Sequence, residues 1–230
     1  MLRLVVFFLA ALVLTSVLRH APLVGGLFQV PLIGFWLSAA LLSLGLHVVM
    51  ARVLTARRHQ RAVRDLGGVD TPANRGKLGA LLLTGGDSRA AIPHLEAALA
   101  GEPARAEWAY RLGEARLASG DAAGAVAALD PLLARDEEHA YGRALLLSAA
   151  AATLAGQPED ALGRLDRYDR SHGPSPESAF ERGRAHRAAG RRGEARAAFG
   201  EVARLASEAA RFKRGAHRAL VWRAWLARWV

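Results

Sequence analysis

The side chains that could do chemistry in this sequence are its eight histidines, its 21 carboxylates and its serines, since cysteine is absent. A divalent metal would need ligands at short, regular spacing, such as His-x-x-x-His on one helix face with a carboxylate nearby. The histidines are scattered instead. His59 stands between Arg58 and Gln60, and His186 between Ala185 and Arg187, neither with a second ligand close in sequence. The acidic triplet Asp136-Glu137-Glu138 is better explained as a solvated loop than as a cation site. No serine sits in a Gly-x-Ser-x-Gly elbow, and no Gly-x-x-x-x-Gly-Lys loop is present to cradle a phosphate. Without cysteine there are no disulfides, thiolate metal sites or cysteine nucleophiles. The expectation is a chain that is not an enzyme, with no catalytic residue, metal or cofactor. Its work is binding.

Binding needs a framework, and residues 72–105 supply its unit, because that stretch recurs. It reads "PANRGKLGALLLTGGDSRAAIPHLEAALAGEPAR": two helix-forming runs separated by a glycine pair and an aspartate, then closed by a proline. A small residue in the first run returns about every 34 residues, at Gly79, Gly113, Ala149 and Gly183. Seven residues after each comes a turn glycine: Gly86, Gly120, Gly156 and Gly190. Five further on stands an alanine (Ala91, Ala125, Ala161, Ala195), and four beyond that a bulky residue (Leu95, Leu129, Leu165, Phe199). Small residues let two helix backbones approach, and the bulky one fills the gap between hairpins. The glycine supplies the positive φ of a helix C-terminus, Asp87 and Asp121 can cap the helix that follows, and Pro158 suits a first turn.

This small–small–bulky signature resembles the tetratricopeptide repeat family, in a membrane-anchored bacterial form. The resemblance covers four units, 72–105, 106–141, 142–175 and 176–207. Trp108 and Phe180 each lie one position from the family's first-helix aromatic. Repeat three is degenerate around 145–152, and two extra residues sit near 136–140, just past Pro131. The resemblance implies a concave groove lined by first helices, suited to an extended peptide or a partner helix. Its groove positions would be Glu107, Tyr110, Glu114 and Leu117 in repeat two, Arg143 and Leu146 in repeat three, and Glu177, Phe180, Arg184 and Arg187 in repeat four. Gly76 and Ala80 stand where some family members hold a partner's carboxylate with Lys and Asn, so clamping of a C-terminal tail is not expected.

The flanks are of different material. Residues 4–18 and 32–51 are two apolar runs, the second about as long as the ~20 residues that cross a hydrocarbon core. They read as a two-helix transmembrane hairpin over 1–53, with a signal peptide disfavoured by Arg19 at its cleavage position. One span with a half-buried first segment is the alternative. Arg52, Arg57, Arg58, Arg61 and Arg64 follow the second run, the last four in a basic juxtamembrane tether over 54–71. By arginine bias they place the chain in a bacterial inner membrane, multi-pass, with the repeats cytoplasmic. The excess of 31 basic over 21 acidic residues is uneven: residues 72–175 hold 11 basic against 14 acidic, and 176–230 hold 13 against 5.

The end of the chain, 208–230, reads as an amphipathic capping helix. Phe212, Ala216, Ala219, Leu226 and Val230 share one face, with Arg223 among them. Trp222, Trp225 and Trp229 form a second stripe, with Arg214, Arg218 and Arg228 beside it. Three readings stand for that stripe: closure of the core, a membrane surface, or a partner protein.

The fold expectation is therefore all-α: a transmembrane hairpin, a four-repeat helical-hairpin solenoid and a C-terminal capping helix. The functional expectation is a membrane-anchored scaffold that binds a protein or peptide partner in its groove. Lipid would contact 1–53 and, on the membrane-surface reading, 208–230 as well. Nucleic acid is not expected. The alternative is a structural or assembly subunit of a larger integral membrane complex.

Overall fold

The computed structural model describes residues 13–18, 20, 36–45, 50, 66, 68, 70–208 and 211–229. The chain divides into two compact units, residues 1–62 and 63–230. In the second, nine helices follow one another among the described residues: α1 (Pro72–Thr84), α2 (Ser88–Gly101), α3 (Ala106–Ser119), α4 (Ala122–Leu133), α5 (Arg143–Leu154), α6 (Pro158–His172), α7 (Pro176–Ala188), α8 (Arg192–Glu208) and α9 (Arg211–Trp229). The first eight pair as four hairpins, and each new first helix packs on both helices of the hairpin before it.

Local chemistry explains where the helices begin. The Thr71 hydroxyl accepts from the Asn74 amide, with Pro72 pre-set for the first turn. Asp87 and Asp121 accept from the amides of Ala90 and Gly124. Ser175 and Ser178 bond reciprocally in a capping box. Gly86, Gly120, Gly156 and Gly190 turn each hairpin with φ between +76° and +93°, a conformation that costs other residues energy.

Packing follows the repeat. Ala91, Ala125 and Ala161 are fully buried and Ala195 nearly so. A Cβ added at Gly79, Gly113 or Gly183 would lie 2.6 Å from Leu95 Cγ, Leu129 Cγ or the Phe199 ring, so those backbones are held closer than any side chain permits. Trp108 fills the space under Gly76, where a Cβ would meet its ring at 2.5 Å. Around it close Ala91, Leu95, Ala98, Leu112 and Ala115.

Charged clamps tie one hairpin to the next. Arg116 reaches Glu96 at 2.6 Å, Arg164 reaches Asp130 at 2.6 Å and also the buried Ser148 hydroxyl, and Arg182 spans Asp166 and Asp169 at 2.8 Å each. Arg191 pairs with Glu159. The junction after α4 is irregular: Ala140, Tyr141 and Gly142 take left-handed φ values of 55°, 57° and 74° in succession. That turn absorbs the extra residues between the second and third hairpins.

In the first unit, 13–18 and 36–45 are helical, and the buried hydroxyls of Thr15 and Ser38 hydrogen bond at 2.8 Å. Here the sequence expectation is corrected. Among the described residues no helix is long and apolar enough to cross a membrane, so a transmembrane hairpin and a multi-pass inner-membrane location are not supported. Most of the apolar run 4–18, nearly half of the run 32–51 and most of the tether 54–71 lie outside the described residues.

Candidate functional site

Two surfaces of the array gather the residues singled out from sequence: the face of its first helices, and the far side of α9. On α3, Glu107 is exposed at the first turn, while Tyr110 is buried one turn later. The Tyr110 ring meets the His139 ring at 5.6 Å between centroids. Burial pushes its phenol up, and the Glu114 carboxylate adds to that, against the opposing pull of Arg143 and Arg111. Arg111 Nη1 donates to Glu114 at 2.9 Å. Its Nε is buried with no hydrogen-bond partner. Arg143, the first residue of α5, is exposed, and Leu117 and Leu146 are half-buried. Tyr110, Arg111, Glu114 and Arg143 thus form one polar cluster across the second and third hairpins.

The fourth repeat is arranged differently, because α9 covers part of the same face. Glu177 lies 3.3 Å from His217 of α9. Phe180 is buried against Phe199, with ring centroids 5.7 Å apart, and the Arg223 guanidinium sits 5.0 Å above its ring. Arg187 stands 5.3 Å from the Phe199 ring and donates to the Ala227 carbonyl at 3.4 Å. Arg184 donates to Glu181 at 2.8 Å. Three of the four residues expected to line a groove here therefore hold the last helix in place.

Arg111, His139 and Glu181 were not singled out from sequence. The available signal was a charged pair three residues apart, Arg111 with Glu114 and Glu181 with Arg184, on the inner side of a first helix. Glu181 is the informative one. Burial raises its carboxyl above the usual range, more than Arg184 and Arg223 lower it. The folded state therefore binds this proton more tightly than the unfolded chain does. Stability from this group is greatest below the unfolded value of about 4.3 and is lost as pH rises through the raised folded value. Glu181→Gln should flatten that fall in urea titrations run between about pH 4 and 7. An unchanged pH profile would show that the carboxylate is not held against its charge.

On α9, His217 and Ala224 are buried, with Leu220, Val221 and Ala227 partly so. Trp222, Trp225 and Trp229 point away from that core, with 61%, 51% and 73% of their surface exposed. Trp222 and Trp225 stack at 5.0 Å and 18°. Arg218 and Arg228 are exposed beside them, while the Arg214 side chain lies outside the described residues. Trp222, Trp225, Val221 and Arg218 face Ala203, Ala206 and Ser207 of α8 across a shallow, mainly apolar groove. Among the described residues no three His, Asp or Glu side chains gather as they would around a metal ion.

Comparison with known proteins agrees with this architecture. Residues 82–148 match the family model for the tetratricopeptide repeat. Among solved structures, a Podosopora anserina kinesin light chain with nearly identical TPR-like repeats superposes with a TM-score of 0.56 at 20% identity. That match covers 72% of this chain and 95% of the other. A thermophilic TPR protein of Thermus thermophilus superposes with a TM-score of 0.52 at 22% identity, covering 68% of this chain and 82% of that one. No curated relative matches the sequence. The array has the fold of a tetratricopeptide-type solenoid, all-helical among the described residues.

Proposed function

We propose that this chain is a protein–protein interaction scaffold whose first-helix face, centred on α3 and α5, holds a peptide segment or helix of a partner protein. The observation that carries this is Arg143, exposed at the start of α5 beside the Tyr110–Glu114 cluster and in no ion pair among the described residues. Arg111, whose side chain stays 38% exposed while it pairs with Glu114, adds a second donor close by. Backbone carbonyls or a carboxylate of the partner fit both. Repeat proteins of this type bind partners along such extended faces.

The test is selection of peptides from a displayed library on the purified chain, followed by fluorescence anisotropy with the best binder. The double substitution Arg111→Ala, Arg143→Ala should weaken binding about tenfold or more, in the range of an interface hot spot. Arg89→Ala, on the exposed side of α2, should change it little. Undiminished binding by the double variant would reject the first-helix face as the site.

A further inference from the structure

The fourth hairpin is short of negative charge. Residues 176–230 hold five acidic residues, and four of them are engaged: Glu181 by Arg184, Glu201 and Glu208 by Arg204, and Glu177 beside His217. Arg182 and Arg191 draw their partners from α6. Arg187, Arg192, Arg196 and Arg228 are in no ion pair among the described residues, and these four line one cavity of about 230 Å³. It lies between the turn after α7, the first two turns of α8 and the end of α9. The rest of its lining is apolar or glycine, and no carboxylate is in it.

Nothing in the helices themselves favours this gathering. Arg192 and Arg196 stand one turn apart on α8, where like charges repel. Arg192 is also the first residue of that helix, at the end whose dipole disfavours a cation. Glu194, the fifth acidic residue, is two residues from each, about 200° around the helix, and its charge acts on His186 and Arg191. Arg187 is held in place without being neutralised. Its guanidinium lies 5.3 Å from the Phe199 ring and donates to the Ala227 carbonyl at 3.4 Å, and both of those residues line the cavity.

We infer that this cavity binds a small anion with two linked phosphoryl groups, a diphosphate, independently of the first-helix face. Charge sets the class. One phosphoryl group carries about −1.5 to −2, so four guanidinium charges are matched by two such groups, and a single carboxylate would leave most of them unmatched. Guanidinium forks pair with phosphate oxygens two bonds at a time, and a helix N-terminus favours the same anion. Size agrees. Pockets for drug-sized ligands run to about 300–1,000 Å³, so this cavity takes the diphosphate itself and little of any group attached to it.

The experiment is isothermal titration calorimetry of the full-length chain with sodium pyrophosphate, at fixed ionic strength and without divalent metal. Pyrophosphate should bind at least about tenfold more tightly than inorganic phosphate or citrate, the effect of one charge-assisted hydrogen bond. Arg192→Ala with Arg196→Ala should weaken it about a hundredfold, the effect of two. Arg89→Ala, which removes the same charge from α2, should leave it unchanged, as should Arg111→Ala with Arg143→Ala. Pyrophosphate should also raise the melting temperature of the wild-type chain and not that of the Arg192, Arg196 variant. Both side chains are exposed, so without the anion that variant should melt no lower than wild type. Should it melt lower, Arg228→Gln carries the test. Phosphate or citrate bound as tightly as pyrophosphate overturns the inference, as does binding untouched by these substitutions. Association with vesicles of phosphatidylglycerol and phosphatidylcholine that pyrophosphate does not compete, lost in the double variant, would overturn it in favour of a lipid surface.

Discussion

Replacing Trp108 with alanine is expected to lower the unfolding free energy by about 3–5 kcal/mol, the range for truncating a large buried aromatic. The ring is 2% exposed and lies at the contact of the first and second hairpins. Its Nε1–H donates to Glu102 at 3.0 Å, and the Arg105 guanidinium sits 4.5 Å above it. Gly76 is bare because the ring occupies the space its Cβ would need. Alanine would leave a cavity that α1 cannot collapse into without moving the whole helix. Since each repeat contacts chiefly its neighbours, the loss should appear first as detachment of α1 and α2, an early transition in urea followed by circular dichroism. A change below about 1 kcal/mol would mean that the hairpins are not joined through this ring.

A pair of glycine substitutions should move stability in opposite directions. At Gly113 an added methyl would meet Leu129 Cγ at 2.6 Å, in the middle of a crossing where Leu129 is fully buried. Gly113→Ala should therefore overpack the second hairpin and cost about 1–3 kcal/mol. At Gly163, within α6, a Cβ would meet nothing within 4 Å. There the same change removes only the helix penalty of glycine, and Gly163→Ala should raise stability by about 0.5–1 kcal/mol. Chemical denaturation of the two variants reads both signs at once. If both destabilise equally, the close approach of first and second helices is not the feature that sets the repeat.

The residues behind these two effects differ in how plainly they read from sequence. Gly113 and Leu129 stand at fixed offsets within one unit, and both recur with the repeat, so their contact is local and legible. Trp108 is less so. It lies one position from the aromatic place of the family, and one position is about 100° of a helix, enough to leave open which neighbour it packs against. The clamps were not legible at all. Arg164 joins Asp130 and Ser148 across 34 and 16 residues, and nothing short of the assembled array shows that an arginine of the third hairpin faces an aspartate of the second. The left-handed turn at Ala140 and Tyr141 was equally hidden, since neither residue type announces a positive φ.

The groove illustrates a different limit. Glu107, Tyr110, Glu114 and Arg143 lie on first helices of the middle repeats, with Glu107 and Arg143 exposed, Glu114 half-buried and Tyr110 buried. In the fourth repeat the pattern of the family marks Glu177, Phe180 and Arg187, yet α9 lies against all three. Sequence order places α9 after the last hairpin without showing how far it reaches over the inner face. The exposed tryptophans follow from the same packing, because α9 buries its other side against α7 and α8. At the N-terminus, apolar runs were read as membrane spans from hydropathy alone. The described portions hold a buried Thr15–Ser38 hydrogen bond, and among the described residues no helix is long and apolar enough to cross a membrane.

If the first helices of the middle repeats meet the partner, a crosslinker placed there should capture it. The most direct measurement puts a photo-crosslinking amino acid at Arg143, at the α3–α5 face, and separately at Arg89, on the exposed side of α2. Each version is irradiated with the peptide selected by the wild-type chain, and the adducts are weighed by mass spectrometry. The expected result is a peptide adduct from the Arg143 position and little or none from the Arg89 position. Adducts from the Arg89 position alone, or in equal yield from both, would contradict it.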